Sequence, residues 1–332
     1  MNNETDIRAP LAPLEPILQD EFVTEIMIDG PERVLVERKG VIEDSGVKFA
    51  SVEALRAAID AALALGGAAF QPGQTVCDTR LSDGSRILAV LPPTAVNGPC
   101  LVIRKVYRRK PTMAQLLEWN ALSPETYNLI KSAIHARRNI LVAGGTGSGK
   151  TTFLNLLAEE IPPDERVIVV EAFLELQVKL PRVVRLSSDI SPDLSYAELI
   201  STAAKMRPDR LIFGELRGPE VMRILDLVNV GHDGSMMTMH ANSPEDALAR
   251  VEAMCLMANL GLGLAEIRAM IASALNLISY QQRLPDGRCR ITQITEVLGL
   301  ENDRYVLQPL MRYNPETDAW QALLAKPSWE TA

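Results

Sequence analysis

Residues 144–151 read Gly144-Gly145-Thr146-Gly147-Ser148-Gly149-Lys150-Thr151, and this stretch decides the fold. It fills the phosphate-binding pattern GxxxxGK[ST] at every fixed position. An apolar run at 139–143 (NILVA) precedes the glycines and reads as a buried parallel strand. Residues 151–161 follow, with Phe153, Leu154, Leu157 and Ile161 at helical spacing, and stop at Pro162-Pro163. Phosphate binding needs this order of strand, glycine loop and helix. Glycines let successive backbone N–H groups turn inward around an anion. The helix N-terminus adds partial positive charge. Lys150 then reaches the β- and γ-phosphates of a nucleotide, and the Thr151 hydroxyl ligates Mg²⁺. The alternative, a glycine-rich turn with no ligand, is disfavoured by the intact flanks.

Outward from the loop, strands and helices alternate. Strands are predicted at 166–170, 210–213 and 235–240, and helices at 195–206, 219–230, 244–258 and 265–275. That series predicts a parallel sheet covered by helices. A hairpin follows at Pro285-Asp286-Gly287, and another near Glu301-Asn302-Asp303. Upstream, strands at 23–28, 34–37, 86–91 and 100–104 with an amphipathic helix at 52–65 predict a small antiparallel α+β unit. The boundaries expected are an N-terminal domain over 1–104, a basic linker over 105–114 and an ATPase domain over 115–332. Residues 1–13 read as a loose arm.

Composition bounds the function. The chain has 332 residues, 47% hydrophobic and 23% charged, which is ordinary for a globular protein. Its net charge of −8 argues against a protein whose main task is gripping nucleic acid, so no nucleic-acid partner is expected. The cluster Arg104-Lys105…Arg108-Arg109-Lys110 around Tyr107 keeps a translocase reading open. No apolar run reaches the roughly 18 residues a membrane span needs. The start MNNETDIRAP lacks the pattern of a secretory signal. Cys77, Cys100, Cys255 and Cys289 are far apart and contain no CxxC, so reduced thiols in the cytoplasm are expected.

Several acids and one base stand where a nucleotide hydrolase wants them. Glu171 and Glu175 follow the strand at 166–170, on the edge that carries the glycine loop. A carboxylate there can polarise an attacking water or hold Mg²⁺ through water. Glu215 ends the apolar strand RLIFGE and would bind the Mg²⁺ water shell. His240 ends another strand and could report the γ-phosphate. Met236, Met237 and Met239 are expected to pack the sheet.

The strings RPDRLIFGELRGPE and GHDGSMMTMHANSPEDALARVE resemble the motor ATPases of bacterial type II and type IV secretion and pilus assembly. FVTEIMIDGPERVLVERKG and DTRLSDGSRILAVLPP…IRK resemble the N-terminal domain of their CpaF-like, tight-adherence branch. The similarity runs from about residue 14 to about residue 312. It implies an α/β fold, a RecA-like P-loop ATPase domain with a parallel sheet, preceded by a smaller α+β domain. It implies ATP and Mg²⁺ as ligands and Gly144, Gly145, Thr146, Gly147, Ser148, Gly149, Lys150, Thr151 and Thr152 as the Walker A cradle. By the same resemblance, Glu175 is the catalytic glutamate, Glu171 shares its acidic box, Glu215 is the Walker B acid, Thr151, Glu215 and Glu171 are the metal ligands, and His232 and His240 lie in a His box. Arg80, Arg86 and Arg104 fall in motifs that supply arginines to nucleotide phosphates across a domain or subunit boundary, where a guanidinium neutralises transition-state charge. A homohexameric motor is implied, peripheral to the inner membrane through a platform protein. Ala172 and Phe173 depart from the family's acidic box, which favours the alternative of a nucleotide-gated adaptor with little turnover. The zinc-binding cysteine quartet of the type II branch is absent, as is the long N-terminal extension of some tight-adherence relatives.

Overall fold

The computed structural model describes residues 9–38, 41–81, 83–105, 111–189, 194–323 and 327–331. The chain divides into two compact units, Met1–Lys110 and Pro111–Ala332. The basic run over 106–110 lies outside the described residues.

In the first unit a 3₁₀ turn, Ala9–Leu14, runs into a short helix, Glu15–Gln19. Strands β1 (Val23–Asp29), β2 (Val34–Arg38), β3 (Val41–Asp44), β4 (Val76–Arg80), β5 (Arg86–Val90) and β6 (Cys100–Arg104) form one antiparallel sheet in the order β3-β2-β1-β6-β5-β4. Helix Val52–Leu65 is capped by Ser51, whose hydroxyl accepts from Ala54 N at 3.2 Å. It buries Leu55, Ala58, Ile59, Ala62 and Leu63 in a core shared with Ile87, Ala89, Leu101 and Ile103 of the sheet. Strand side chains alternate between faces, so with Ile87 and Ile103 inward, Arg86 and Arg104 lie on the other face. Register sets Arg80 opposite Arg86 and Arg86 opposite Arg104. The three arginines named separately from sequence thus form one row across three strands. Asp78 offsets the like charge, accepting from Arg86 Nε at 3.0 Å.

The second unit holds a nine-stranded sheet: β7 (Ile140–Gly144), β8 (Val167–Glu171), β9 (Val183–Ser187), β10 (Arg210–Phe213), β11 (Met236–His240), β12 (Leu277–Arg283), β13 (Cys289–Glu301), β14 (Arg304–Asn314) and β15 (Ala319–Ala322). Their order is β15-β14-β13-β12-β7-β11-β10-β8-β9. The six strands from β12 to β9 are parallel, and β13, β14 and β15 extend the same sheet antiparallel. The expected all-parallel sheet is therefore mixed, because the two C-terminal hairpins pair onto β12 instead of standing apart. Helices cover both faces, and β7 shows why its sequence is continuously apolar. Leu141 and Ala143 pack into the core under helices Tyr196–Lys205, Val221–Asn229, Pro244–Met257 and Leu264–Ala274. Ile140 and Val142 pack into the opposite core, under helices Pro124–His135 and Lys150–Ala158. Met236, Met237 and Met239 are all fully buried, as expected.

Residues 112–114, read as linker, belong to this unit. Thr112 and Gln115 form a capping box that opens helix Met113–Glu118. Among the described residues no helix is long and apolar enough to cross a membrane.

Candidate functional site

Parallel pairing brings the C-terminal ends of β7, β8, β10 and β11 to one edge of the sheet, the edge at which open α/β sheets bind ligands. Register decides which residues meet there. His240 ends β11 directly opposite Gly144, which ends β7. Glu171 ends β8, and Gly214, just past β10, donates its N–H to the neighbouring Val170 carbonyl at 2.9 Å. Glu215 follows Gly214, so the loop, both acidic segments and His240 share one mouth.

The phosphate loop runs from β7 into helix Lys150–Ala158. Gly145, Thr146 and Gly147 are exposed, and Gly149 at φ +88° starts the helix with no side-chain cap. The first-turn N–H groups, including those of Thr151 and Thr152, have no intrahelical acceptor and are left for an anion. Ser148 Oγ donates to Gly145 O at 2.8 Å and closes the loop on itself. Gly144 is a close-approach position. A Cβ there would stand 2.3 Å from the Gln281 carbonyl oxygen of β12 and 2.7 Å from Ser148 Oγ. Gly144→Ala is therefore expected to push β12 from β7 and lower the melting temperature by several degrees, with a stability loss of about 2–3 kcal/mol. Thermal unfolding followed by circular dichroism checks this; an unchanged melt would mean that the two strands separate freely.

Lys150 is buried, with 7% of its surface exposed. Its Nζ donates to Gly145 O at 2.8 Å and to His240 Nδ1 at 3.2 Å. An ammonium has only donors, so Nδ1 accepts and the imidazole proton sits on Nε2. Nε2 then donates to Glu215 Oε1 at 3.0 Å. Burial, followed by the Lys150 charge, holds the His240 pKa below its usual value, against the opposing pull of Glu215. The ring is therefore neutral at neutral pH, as this tautomer requires. Burial also lowers the Lys150 pKa, and Glu215 and Glu175 partly offset it. Glu215 Oε2 accepts from Arg217 Nε at 2.6 Å, and the Arg217 guanidinium stacks 5.2 Å from the centre of the Phe173 ring. The residue that departs from the family's acidic box thus holds, through Arg217, an arm of Glu215.

Glu171 and Glu175 differ in environment. Glu175 is exposed, its Oε2 lying 3.5 Å from Thr151 Oγ1. Glu171 is 1% exposed, and its Oε1 accepts the backbone N–H groups of Glu175 at 2.9 Å and Leu176 at 2.7 Å. It pins the loop that carries Glu175. Asn155 holds the same loop from the other side, accepting from Gln177 N at 2.8 Å. Burial pushes the Glu171 pKa up to about 7 from 4.5, despite those two hydrogen bonds and the Arg185 charge. An unfolded carboxyl ionises first as pH rises, so the unfolded chain binds fewer protons between about pH 4.5 and 7. Stability therefore falls with rising pH across that window, by about 3 kcal/mol in total. Glu171→Gln keeps the acceptor and removes the titration. The wild type is expected to lose more melting temperature than Glu171→Gln between pH 5 and pH 8, and parallel losses would contradict the raised pKa.

His232 precedes β11 while His240 ends it, so only His240 reaches the site; the His232 carbonyl instead accepts from Ser235 Oγ at 2.7 Å. Arg80, Arg86 and Arg104 belong to the first unit. The structure also adds a neighbour that motif reading did not reach. Gln281 of β12 is 2% exposed and donates from Nε2 to the Ser148 carbonyl at 2.8 Å, and its Oε1 has no hydrogen-bond partner.

The site offers hard oxygen donors (Thr151 Oγ1, Glu175 and Glu215) beside a cradle of N–H groups and one lysine. That set fits a nucleotide polyphosphate with Mg²⁺ held largely by phosphate and water. Among the described residues no three of His, Cys, Asp and Glu cluster as a metal site.

Residues 8–311 match the model of the family described as type II/IV secretion system protein. A putative conjugal transfer protein of Mycobacterium tuberculosis (strain ATCC 25618 / H37Rv) is 32% identical over 292 residues, 85% of this chain and 82% of its own length. The conjugal transfer protein TrbB of Rhizobium radiobacter is 31% identical over 293 residues, covering 87% of this chain and 88% of its own. Among solved structures, the Yersinia pseudotuberculosis ATPase DotB superposes with a TM-score of 0.63 at 17% identity, over 90% of this chain and 80% of its own, which supports the fold.

Proposed function

The chain belongs to the type II/IV secretion system protein family, and on that premise we propose that it is an ATPase motor working at the phosphate loop behind β7. The observation that carries the reading is the convergence of buried Lys150, His240, Glu215 and Glu175 at the mouth of that loop. The N–H groups of 145–152 cradle the phosphates. Lys150 leaves the Gly145 carbonyl and His240 Nδ1 to take up phosphate oxygens. Glu175 accepts a proton from the attacking water and keeps it in line. Thr151 Oγ1 and Glu215 would hold Mg²⁺, which would supply positive charge against the charge developing on the phosphates. Glu171 serves by fixing the Glu175 loop, since its Oε1 is already committed to two N–H groups.

His240 links the lysine to Glu215. Once phosphate takes Lys150, Nδ1 loses its donor and the ring is free to re-aim toward the nucleotide. By the family resemblance, Arg80, Arg86 and Arg104 bring further positive charge to nucleotide phosphates across a domain or subunit boundary. The motor acts as a homohexamer docked on a membrane platform protein of a secretion, conjugation or pilus apparatus, and the tight-adherence branch is the one its sequence strings resemble most. Steady-state phosphate release tests the reading. Turnover that needs Mg²⁺ and disappears in excess chelator is expected. Release at the buffer rate under both conditions would favour the adaptor reading. Light-scattering mass with Mg²⁺ and a non-hydrolysable ATP analogue tests the ring: six subunits are expected, and a monomer would contradict it.

A further inference from the structure

We infer that Arg283, at the end of β12, is a phosphate-contacting residue of the same subunit's nucleotide site. The inference rests on the phosphate-loop reading above and extends it to a strand remote in sequence.

Three observations converge on one face of the loop. First, β12 runs parallel to β7 with Gln281 opposite Gly144, so the two residues after Gln281 continue past the end of β7, beside the phosphate loop. Side chains alternate along a strand, and Gln281 turns to the loop at Ser148 while Gln282 turns away to the Tyr280 hydroxyl at 3.0 Å. Arg283, two residues on from Gln281, shares the loop-facing side. Second, the guanidinium is at the loop itself: Arg283 Nη1 lies 3.3 Å from the point a Cβ on Gly147 would occupy. Third, Cys289 pairs with Arg283 across the β12–β13 ladder and places its Sγ 3.5 Å from the Gly147 carbonyl oxygen. The last rung of the hairpin therefore sits over Gly147.

The chemistry fits an anion. Lys150 serves the inner side of the loop, and Arg283 brings a second, permanently charged group to its outer side with up to five donors in a planar fork. A phosphate seated on the loop presents oxygens to both. The contact needs no neighbouring subunit, so it contributes to ADP binding as well as to ATP binding. The strand order explains the placement: β12 and β11 are the two strands that flank β7.

The experiment is equilibrium titration of the full chain with a fluorescent (methylanthraniloyl) ADP and Mg²⁺, for wild type, Arg283→Ala, Arg283→Gln, Lys150→Ala and Arg288→Ala. Arg288 stands on the same hairpin but points to Asp286 at 2.6 Å. Losing a charge-assisted contact to phosphate should weaken binding about 10- to 100-fold in both Arg283 variants. Arg288→Ala should bind as wild type does. Arg283→Gln keeps most of the side chain's bulk, so it decides the matter if Arg283→Ala proves unstable. Wild-type affinity in both Arg283 variants, with binding lost in Lys150→Ala, would overturn the inference and leave the phosphate loop intact. Equal binding by wild type and Lys150→Ala would instead sink the phosphate-loop reading, and this inference with it.

Discussion

Lys150→Ala is expected to reduce ATP hydrolysis by about a thousandfold, the scale of losing one well-placed charged donor to a reacting phosphate. The Lys150 ammonium is largely withdrawn from water and sits between a loop carbonyl and His240, with the Glu215 and Glu175 charges nearby. A lysine held this way has little to do for the empty fold beyond closing its own loop. Its ammonium comes into use when phosphate replaces the Gly145 carbonyl. Because the ammonium contacts phosphate in the ground state too, ATP affinity should fall with turnover. Phosphate release together with nucleotide titration checks both, and retained turnover would remove the loop from the mechanism.

Glu175→Gln should behave differently. The substitution keeps the shape and removes the base, so hydrolysis should drop by about a hundred- to ten-thousandfold while ATP binding is kept. Glu175 is exposed at the site's mouth beside Thr151, whereas Glu171 is buried with its Oε1 spent on two N–H groups. Environment thus separates two acids of one sequence motif, one exposed and one buried, and on the proposed mechanism Glu175 reacts while Glu171 holds its loop. Glu171→Gln should accordingly cost far less turnover than Glu175→Gln, and the reverse ranking would exchange their roles.

Much of this site is legible in the sequence. The GxxxxGK[ST] loop, its apolar strand and its helix state their own geometry, because few conformations suit such glycines between those flanks. The strand RLIF is found at Arg210–Phe213 as the sequence predicts, since an all-apolar run between polar ends has few other fates in an α/β chain. Strand β9 was not readable. Val183–Ser187 is a partly exposed edge strand interrupted by Arg185, so it lacks both the continuous apolar run and a clean alternation. The burial of Glu171 was hidden for another reason. A carboxylate at a strand end reads as solvated, and only the folding back of Glu175 and Leu176 over it makes it a buried acceptor.

Juxtapositions were the hardest to foresee. Arg80, Arg86 and Arg104 carry motif signals one at a time, but their alignment is a matter of register. Gln281 meets Ser148 from 133 positions away, and no local pattern connects them. Hairpin register and strand order, which depend on the whole core, bring β12 to the phosphate loop.

Nucleotide phosphates are expected to occupy the cradle of residues 145–152 and to draw Lys150 away from the Gly145 carbonyl and His240 Nδ1. A crystal structure of the full chain with Mg²⁺ and a non-hydrolysable ATP analogue tests it most directly. Phosphate density is expected in the loop, with Lys150 Nζ moved off the Gly145 carbonyl and off His240 Nδ1 onto phosphate oxygens. An analogue bound elsewhere, or Lys150 still on Gly145 with the analogue present, would contradict it.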